Sequence, residues 1–439
     1  MKLESVKSFT LTLLVAISLL LTFGLWTYQP SNEILEDQNF QPSIDVGGSE
    51  LKKQDLISPE TVLFHANGGH YGYSDPSYRE NLYKDMHSWT LTNLQATEET
   101  DQPDNNNRVM EIIFPESLPM QLLPTIFDMN DSDSGELPIR SFNQIDITFN
   151  REQKILNLHF ISESGREQAI ATVNDSSKYD KMWKQITEKE HLSKLIAYDK
   201  GEQQIYIPLN NKTLLKRDIT VVPIEENKMV KALFPESSLV SKSGNYYNDD
   251  RRDMRVENNG KSIAFTNPTN ANSIQINVQE LLDQSVKSIN DHKGWTDDYK
   301  LVHIDQQSNL IRYRMYYDGY PTYSSSDLTI IEQKWKNANL FKYNRSLINL
   351  KEVINDKEVT LPSGSELIAY LENEFSKAYD LDQIKDIKIG YQFISNNNSS
   401  LSVTLEPAWF VNLNDMWLPI DFEELEPEKG GAIDAVDAN

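Results

Sequence analysis

The chain has 439 residues, a formal net charge of −24 and no cysteine. Its hydrophobic fraction of 38% and aromatic fraction of 10% are typical of folded domains rather than disordered segments. The excess of negative charge argues against nucleic acid and anionic polymers as partners, and the lack of cysteine excludes disulfide bridges, cysteine nucleophiles and thiolate metal sites.

The first element along the chain is an uncharged apolar segment at residues 9–28, FTLTLLVAISLLLTFGLWTY. A bilayer core of about 30 Å needs roughly 20 apolar helical residues, which is the length of this segment. Lys2 and Lys7 precede it and acidic residues follow it. Since positively charged flanks stay inside the cell, we expect residues 1–8 to be a cytoplasmic tail and the remainder to be extracytoplasmic. The sequence thus predicts a single-pass protein of the cell membrane.

A cleaved signal peptide is the alternative interpretation of this segment. Cleavage requires small residues just after the apolar core. The residues at that place are bulky, in the order Trp26, Thr27, Tyr28, Gln29 and Pro30. An uncleaved transmembrane helix is therefore favoured.

One face of this helix carries small hydroxyl residues that suit contact with another helix. On a 3.6-residue period, Thr10, Leu14, Ser18 and Thr22 share one face. Ser18 and Thr22 form a small-xxx-small pair, which lets a second helix approach closely. The hydroxyls can equally bond carbonyls of their own helix, so both interpretations stay open. The partner-binding face is a hypothesis on these four residues.

The residues after the anchor are expected to form several domains. Removing 28 residues leaves 411 (439 − 28), too many for one ordinary core. Residues 29–58 are polar, contain prolines and a glycine pair, and are interpreted as a linker. The predicted units are an N-terminal ectodomain at 59–138, a middle domain at 139–228, a C-terminal domain at 229–425 and an acidic tail at 426–439.

The N-terminal part of the ectodomain alternates helix and strand patterns. Asp75-Pro76 is typical of a helix start, and apolar residues at helical spacing predict a helix to Trp89. Alternating residues predict strands at 145–149 and 156–160, joined as a hairpin. A further helix is predicted over 177–197.

The C-terminal part shows stronger turn signals. Asn259-Gly260 and Asp318-Gly319 each follow an alternating segment and predict tight turns. An amphipathic helix is predicted over 278–289, and Ser363 with Glu366 forms a capping box ahead of another. Strands are predicted at 387–393, 401–405 and 409–411. Together these patterns predict an α+β fold in which helices pack on antiparallel sheets, downstream of the N-terminal transmembrane helix.

Motifs that would support catalysis or metal binding are missing from the sequence. His65, His70 and His87 lack the i, i+4 spacing of zinc proteases, and the acidic loop at 130–136 departs from the charge pattern of a calcium loop. Residues 259–262 end like a phosphate loop but lack its first glycine. We therefore predict no catalytic, metal-binding or cofactor-binding residue, and a binding or regulatory protein rather than an enzyme.

The order of several short motifs resembles the YycH (WalH) family of Gram-positive bacteria. The residues that carry the resemblance are the Lys-flanked helix ending in LWTYQP at 25–30, NLYK at 81–84 with Trp89, GWTDDY at 294–299, YDGYP at 317–321 and PAW at 407–409. The likeness extends over nearly the whole chain. It rests on the order of the motifs, since each alone is common.

That resemblance implies a non-enzymatic membrane protein with an elongated ectodomain whose C-terminal part is similar to the sister protein YycI. It implies association with YycI and with the WalK sensor histidine kinase of the WalKR two-component system, which governs cell-wall metabolism. The sign of regulation differs among relatives, no cofactor is implied, and a homodimer stays open. A different class, an extracytoplasmic binding module such as an envelope protease inhibitor or a wall-component receptor, is the alternative.

Overall fold

The structure, a computed structural model, describes residues 44–97, 109–129, 137–200, 203–268, 274–395 and 402–422, together with Ser18. The described residues from Ile44 onward belong to one compact unit. Apart from Ser18, the predicted anchor at 9–28 lies outside these residues, as does the predicted acidic tail at 426–439. Within the described ranges, no helix combines the length and the apolar character that crossing a membrane requires.

The first of two large sheets has ten strands. They are Thr61–Ala66 (β1), Gly69–Tyr73 (β2), Thr90–Thr97 (β3), Val109–Pro119 (β4), Asp128–Met129 (β5), Ser141–Asn150 (β6), Ile155–Ile161 (β7), Gln168–Val173 (β8), Leu192–Lys200 (β9) and Gln203–Pro208 (β10). The spatial order is β10-β9-β2-β1-β4-β6-β7-β8-β3-β5. Neighbours pair antiparallel except β3 and β5, which pair in parallel.

Within the described residues, four helices accompany this sheet. They are Lys53–Leu56 (α1), Pro76–Met86 (α2), Leu123–Ile126 (α3) and Ser176–Glu188 (α4), with a 3₁₀ turn at Met120–Leu122. Asp75 caps α2 by accepting a hydrogen bond from the Ser77 backbone N–H at 2.9 Å, which confirms the predicted start of this helix. The predicted helix over 177–197 is wrong beyond Glu188. Lys189 adopts a left-handed conformation with φ of 55° there, and the chain turns into β9.

The second sheet has fourteen strands. They are Lys212–Pro223 (β11), Ser241–Ser243 (β12), Tyr246–Asn248 (β13), Asp253–Glu257 (β14), Ser262–Thr266 (β15), Asp298–Asp305 (β16), Leu310–Tyr317 (β17), Tyr320–Tyr323 (β18), Ile330–Lys336 (β19), Asn339–Ser346 (β20), Ile348–Leu361 (β21), Ile384–Ser395 (β22), Ser402–Leu413 (β23) and Met416–Pro419 (β24). The order is β12-β13-β14-β15-β20-β19-β17-β18-β22-β23-β11-β21, with β16 on β17 and β24 on β23.

The part of this half that the structure describes has three more helices. They are Glu226–Leu233 (α5), Val278–Asn290 (α6) and Gly364–Asn373 (α7), with 3₁₀ turns at Ser237–Leu239, Asn258–Gly260, Phe375–Lys377 and Leu381–Gln383. The predicted capping box is confirmed, because the Ser363 and Glu366 side chains each bond the other's backbone N–H. The predicted hairpins β6–β7, β14–β15 and β17–β18 are confirmed as well.

One predicted break in the second sheet is wrong. The strands predicted at 401–405 and 409–411 are a single strand, β23, which continues through Pro407. A proline lacks the N–H that a ladder needs, so it is tolerated where one neighbour ends. Strand β11 pairs with β23 only over Ser402–Leu405, and Pro407 lies just past that stretch.

Side chains from both sheets share their cores. The larger apolar cluster runs from Val46 through the first sheet to α6 and Trp295 in the second half. A smaller cluster places Tyr198 and Ile207, on β9 and β10, against α7 and Trp409. Strands β9 and β10 of the first sheet thus contribute side chains to the same apolar cluster as α7 and Trp409. The two sheets of the mixed α+β fold therefore share their cores and do not form two separate layers.

Candidate functional site

Residues 44–51, which lie inside the segment predicted as a linker, are bound to the turn between α6 and β16 before the chain reaches the first sheet. The backbone N–H groups of Val46, Gly48 and Ser49 donate to the carbonyls of His292, Lys293 and Trp295 at 3.1, 3.2 and 2.9 Å. These bonds join residues more than 240 positions apart in the chain. We call residues 44–51 the strap, because they fix the start of the described chain to the end of α6.

Asn290, at the end of α6, fastens the strap through its side chain. Its Oδ1 accepts from the Leu51 backbone N–H at 3.0 Å and from Trp295 Nε1 at 2.7 Å. Its Nδ2 donates to the Leu51 carbonyl at 2.9 Å. The side-chain amide of Asn290, the backbone N–H and carbonyl of Leu51 and the indole N–H of Trp295 are thereby all hydrogen-bonded. They lie beside the buried Trp295 ring, which is 2% exposed.

A buried arginine supports the turn that receives the strap. Arg345 is 2% exposed, and its Nη1 donates to the Gly294 carbonyl at 2.8 Å. Burial raises the pKa of nearby Asp297 to about 6, and Arg345 partly opposes that rise. Burial and the same guanidinium lower the pKa of His292 to about 3, so this histidine is neutral at physiological pH. The GWTDDY motif at 294–299 is therefore part of a packed polar network that holds the strap.

Gly48 is required where the strap crosses this turn. A methyl group at its Cα would lie 2.4 Å from the Trp295 carbonyl oxygen and 2.6 Å from that of Lys293. We expect Gly48→Ala to cost about 1–3 kcal/mol and to speed amide hydrogen exchange in residues 46–49 at least tenfold. Ser49→Ala is the matched control, since it keeps the backbone bond to Trp295. Equal exchange in the two variants would contradict this role of the strap.

A cleft of about 210 Å³ lies where the two sheets meet. Its aromatic lining consists of Tyr73, Tyr206, Tyr316, Tyr320 and Trp409. Apolar side chains of β1, β9 and β22 and three prolines complete the walls. Such a concave, largely apolar lining with a few polar groups is typical of a binding site.

The charged groups of the cleft are mostly cations. Among the described residues that line it, Arg79, Lys194, Lys212 and Lys388 are cations and Glu60 is the one carboxylate. Arg79 Nη1 and Nη2 donate to the carbonyls of Glu60 and Gly319, both at 2.7 Å, and thus join α2 to the β17–β18 turn. Lys212 Nζ donates to the Ser74 carbonyl at 2.5 Å, and burial lowers the pKa of Lys212.

Lys388 forms a buried ion cluster at the base of the cleft. Its Nζ lies 2.5 Å from Glu60 Oε1 and 2.8 Å from Asp386 Oδ2, and it sits 4.1 Å from the Trp417 ring centroid. Burial by itself lowers the pKa of Lys388, but Asp386 and Glu60 raise it to about 12. The lysine therefore stays charged and links the second sheet to the loop that precedes β1.

A second polar cluster lies on the first sheet, next to the cleft residue Tyr206. His65 Nδ1 and His70 Nδ1 are 2.6 Å apart, and His65 Nε2 lies 3.0 Å from Glu111 Oε1. Asp146 pairs with Glu111 across β4 and β6, and burial followed by Glu111 raises the pKa of Asp146 to about 7. Among the described residues no group of three or more such side chains has metal-binding geometry. His87 is elsewhere, against the Ile126 carbonyl.

The partner-binding face predicted from the sequence is not among these features. Thr10, Leu14 and Thr22 lie outside the described residues, and Ser18 is described as an exposed helical residue. That face stays a prediction. Neither the strap nor the cleft was predicted from the sequence. Gly47-Gly48 lies within the strap, and Pro76, next to the helix cap Asp75, lines the cleft.

The fold and these sites define a two-sheet α+β protein with a strapped N-terminal segment and a cationic cleft. The YycH protein N-terminal domain profile matches residues 4–191, and the YycH protein C-terminal domain profile matches residues 202–427. The chain belongs to the YycH family.

Known proteins agree with this assignment. The "Two-component system WalR/WalK regulatory protein YycH" of Bacillus subtilis (strain 168) is 24% identical over an alignment of 459 positions, which covers 98% of this chain and 98% of that protein. The crystal structure of YycH from Bacillus subtilis has the same fold, with a TM-score of 0.72 and 20% identity, over 86% of this chain and 99% of that one.

Proposed function

We propose that the chain is a non-enzymatic regulator of a WalK-type sensor histidine kinase in a WalKR two-component system. The observation that supports this most is the end-to-end likeness to a Bacillus subtilis protein whose name states that role. The proposed mechanism requires no bound cofactor or catalytic residue. Binding of this chain to the kinase and to a partner protein is sufficient to shift the equilibrium of a kinase that exists in two states.

The proposed topology has residues 1–8 in the cytoplasm, an anchor at 9–28 and the folded unit outside the membrane. In this topology the strap would lie fifteen residues beyond the anchor, since 43 − 28 leaves residues 29–43 between them. Because the strap is hydrogen-bonded to the α6–β16 turn and, through Asn349, to β21, a change in the second sheet would reach residues 29–43 through few residues. The domain division at 59–138, 139–228 and 229–425 stays a prediction.

The proposed partners are the kinase and a YycI-type membrane protein, through contacts of the transmembrane helix and the ectodomain. Contact between helices in a membrane favours small and hydroxyl residues, which is why the face of Thr10, Leu14, Ser18 and Thr22 is the candidate. A polar contact of this kind contributes on the order of 1 kcal/mol, enough to change a kinase equilibrium several-fold.

The test is a pair of matched double substitutions in the anchor. We expect Ser18→Ile with Thr22→Ile to change kinase-dependent transcription several-fold at equal membrane levels, because the bulkier side chains hold the partner helix away. Leu13→Ile with Leu20→Ile, on other faces, should leave transcription unchanged. If both pairs behave alike, the helix face is wrong. If deleting the whole chain also leaves transcription unchanged, the regulatory role itself is refuted.

A further inference from the structure

We propose that the cationic cleft is a binding site for an acidic peptide, and that its occupant is residues 423–439 of the same chain. Among the described lining residues, Arg79, Lys194 and Lys212 supply positive charge, and the charge of Lys388 is already matched by Glu60 and Asp386. The chain as a whole has a net charge of −24. A concave site with low-dielectric walls concentrates such a field and attracts a segment of opposite charge. This proposal does not depend on the identity of the kinase.

The composition of residues 423–439 complements the cleft. The segment reads EELEPEKGGAIDAVDAN and carries six carboxylate side chains against one lysine. It also carries Ile433 and Val436, spaced among small residues, which suit the apolar walls of the cleft. An acidic segment with scattered apolar residues thus meets both requirements of the lining.

The place where the described chain ends favours this segment over other acidic peptides. Ile420 donates its backbone N–H to the carbonyl of Trp409, a cleft residue, at 2.8 Å. Phe422 then packs on Tyr370 of α7, with ring centroids 4.8 Å apart. The remaining residues (439 − 422 = 17) span up to about 56 Å when extended, so the cleft is within reach. A tethered segment also binds at high effective concentration.

Arg79 and Lys212 can accept a carboxylate without losing a carboxylate partner, whereas Lys388 is already paired with Glu60 and Asp386. The hydrogen bonds described for Arg79 and Lys212 go to backbone carbonyls. The Nε atom of Arg79 is buried and has no hydrogen-bond partner within the described residues. Lys194 is exposed at the rim. A carboxylate at this position would therefore add charge-assisted bonds, which are among the strongest in proteins.

The absence of cysteine from the chain allows a direct test by cross-linking. In the full chain in mild detergent, Lys194→Cys with Ala435→Cys should form an intramolecular disulfide at least tenfold faster than Lys377→Cys with Ala435→Cys. Lys377 is a suitable control because it is exposed and lies two residues from Phe375, in the same apolar cluster as Phe422. Equal rates, or a faster control, would overturn the proposal, as would a disulfide that forms only between chains.

The charge argument has its own test in the same full chain. Changing Glu423, Glu424, Glu426 and Glu428 to glutamine should lower the cross-linking rate of the cleft pair about tenfold and leave the control pair unchanged. These substitutions lie outside the described residues, none of which is changed, so the lining of the cleft keeps its own residues. Raising the salt concentration to 1 M should act in the same direction by screening the charges. If the cross-linking rate of the cleft pair is the same after the glutamine substitutions and in 1 M salt, recognition by charge is refuted.

Discussion

Lys388→Met is expected to lower the free energy of unfolding by about 3–5 kcal/mol, because it leaves the Glu60 and Asp386 carboxylates without their cation. Only 15% of the Lys388 side-chain surface and 16% of that of Glu60 are exposed to solvent. Asp386, with 40% of its side chain exposed, regains some hydration, so Glu60 carries most of the cost. Denaturant unfolding at pH 7 measures the loss.

A lysine on the same strand provides the matched control. Lys385 lies 2.8 Å from Asp415, but the two side chains are 55% and 80% exposed. An exposed ion pair contributes about 0–1 kcal/mol, so Lys385→Met should change stability by less than that. If Lys388→Met were as mild as the control, the cluster at the base of the cleft would not hold the two sheets together. Lys388→Met together with Glu60→Gln should recover part of the loss, because fewer buried charges are then unpaired.

The same cluster shows why the sequence predicted local structure better than the site. Hairpins such as β14–β15 and β17–β18 follow from turn residues a few positions apart, so their signals are contained in short stretches. Glu60 and Lys388 are separated by more than 300 positions, and neither neighbourhood contains a motif for an ion pair. Local patterns therefore predicted the α+β class and most element types. The junction of the sheets depends on which strands meet, which a single sequence does not encode locally.

The errors in element prediction have local causes that can be named. The helix over 177–197 was extended too far because its end lies at Lys189, in a left-handed conformation that glycine usually adopts. The strap was interpreted as linker because its glycines and polar residues suit a flexible segment equally well. Gly48 is needed for its close approach to Trp295, and that contact is visible only in the folded chain.

The strap and the cleft are connected through the second sheet. The strap is bound at the end of α6, and α6 packs on β17 through the buried Ser285–Tyr313 hydrogen bond of 2.8 Å. Strand β17 continues into the turn whose Gly319 carbonyl accepts from Arg79 in the cleft. The strap and the cleft therefore contact elements that meet on the same strand, β17.

Asp146→Asn is expected to stabilise the protein at neutral pH by about 2–4 kcal/mol and to have little effect near pH 4. Burial and the neighbouring Glu111 raise the pKa of Asp146 to about 7, whereas the ordinary value is 3.8. Between these values the folded state retains a proton that the unfolded state has lost. Stability of the natural protein therefore falls as pH rises from about 4 to 7, and then stays level with respect to this group.

Asparagine removes that dependence because it cannot ionise, while its side-chain oxygen can still accept the 2.7 Å hydrogen bond from Gln144 Nε2. His65 opposes the rise, so protonation of the histidine pair would shift the titration without changing its direction. Thermal unfolding of both proteins at steps from pH 4 to 8 gives the difference curve. Asp128→Asn, at an exposed position on the same sheet, is the matched control. If the stability difference between Asp146→Asn and the natural protein does not change with pH, the Asp146 carboxylate is already solvated in the folded chain. The polar cluster on the first sheet would then have no part in the pH dependence of stability.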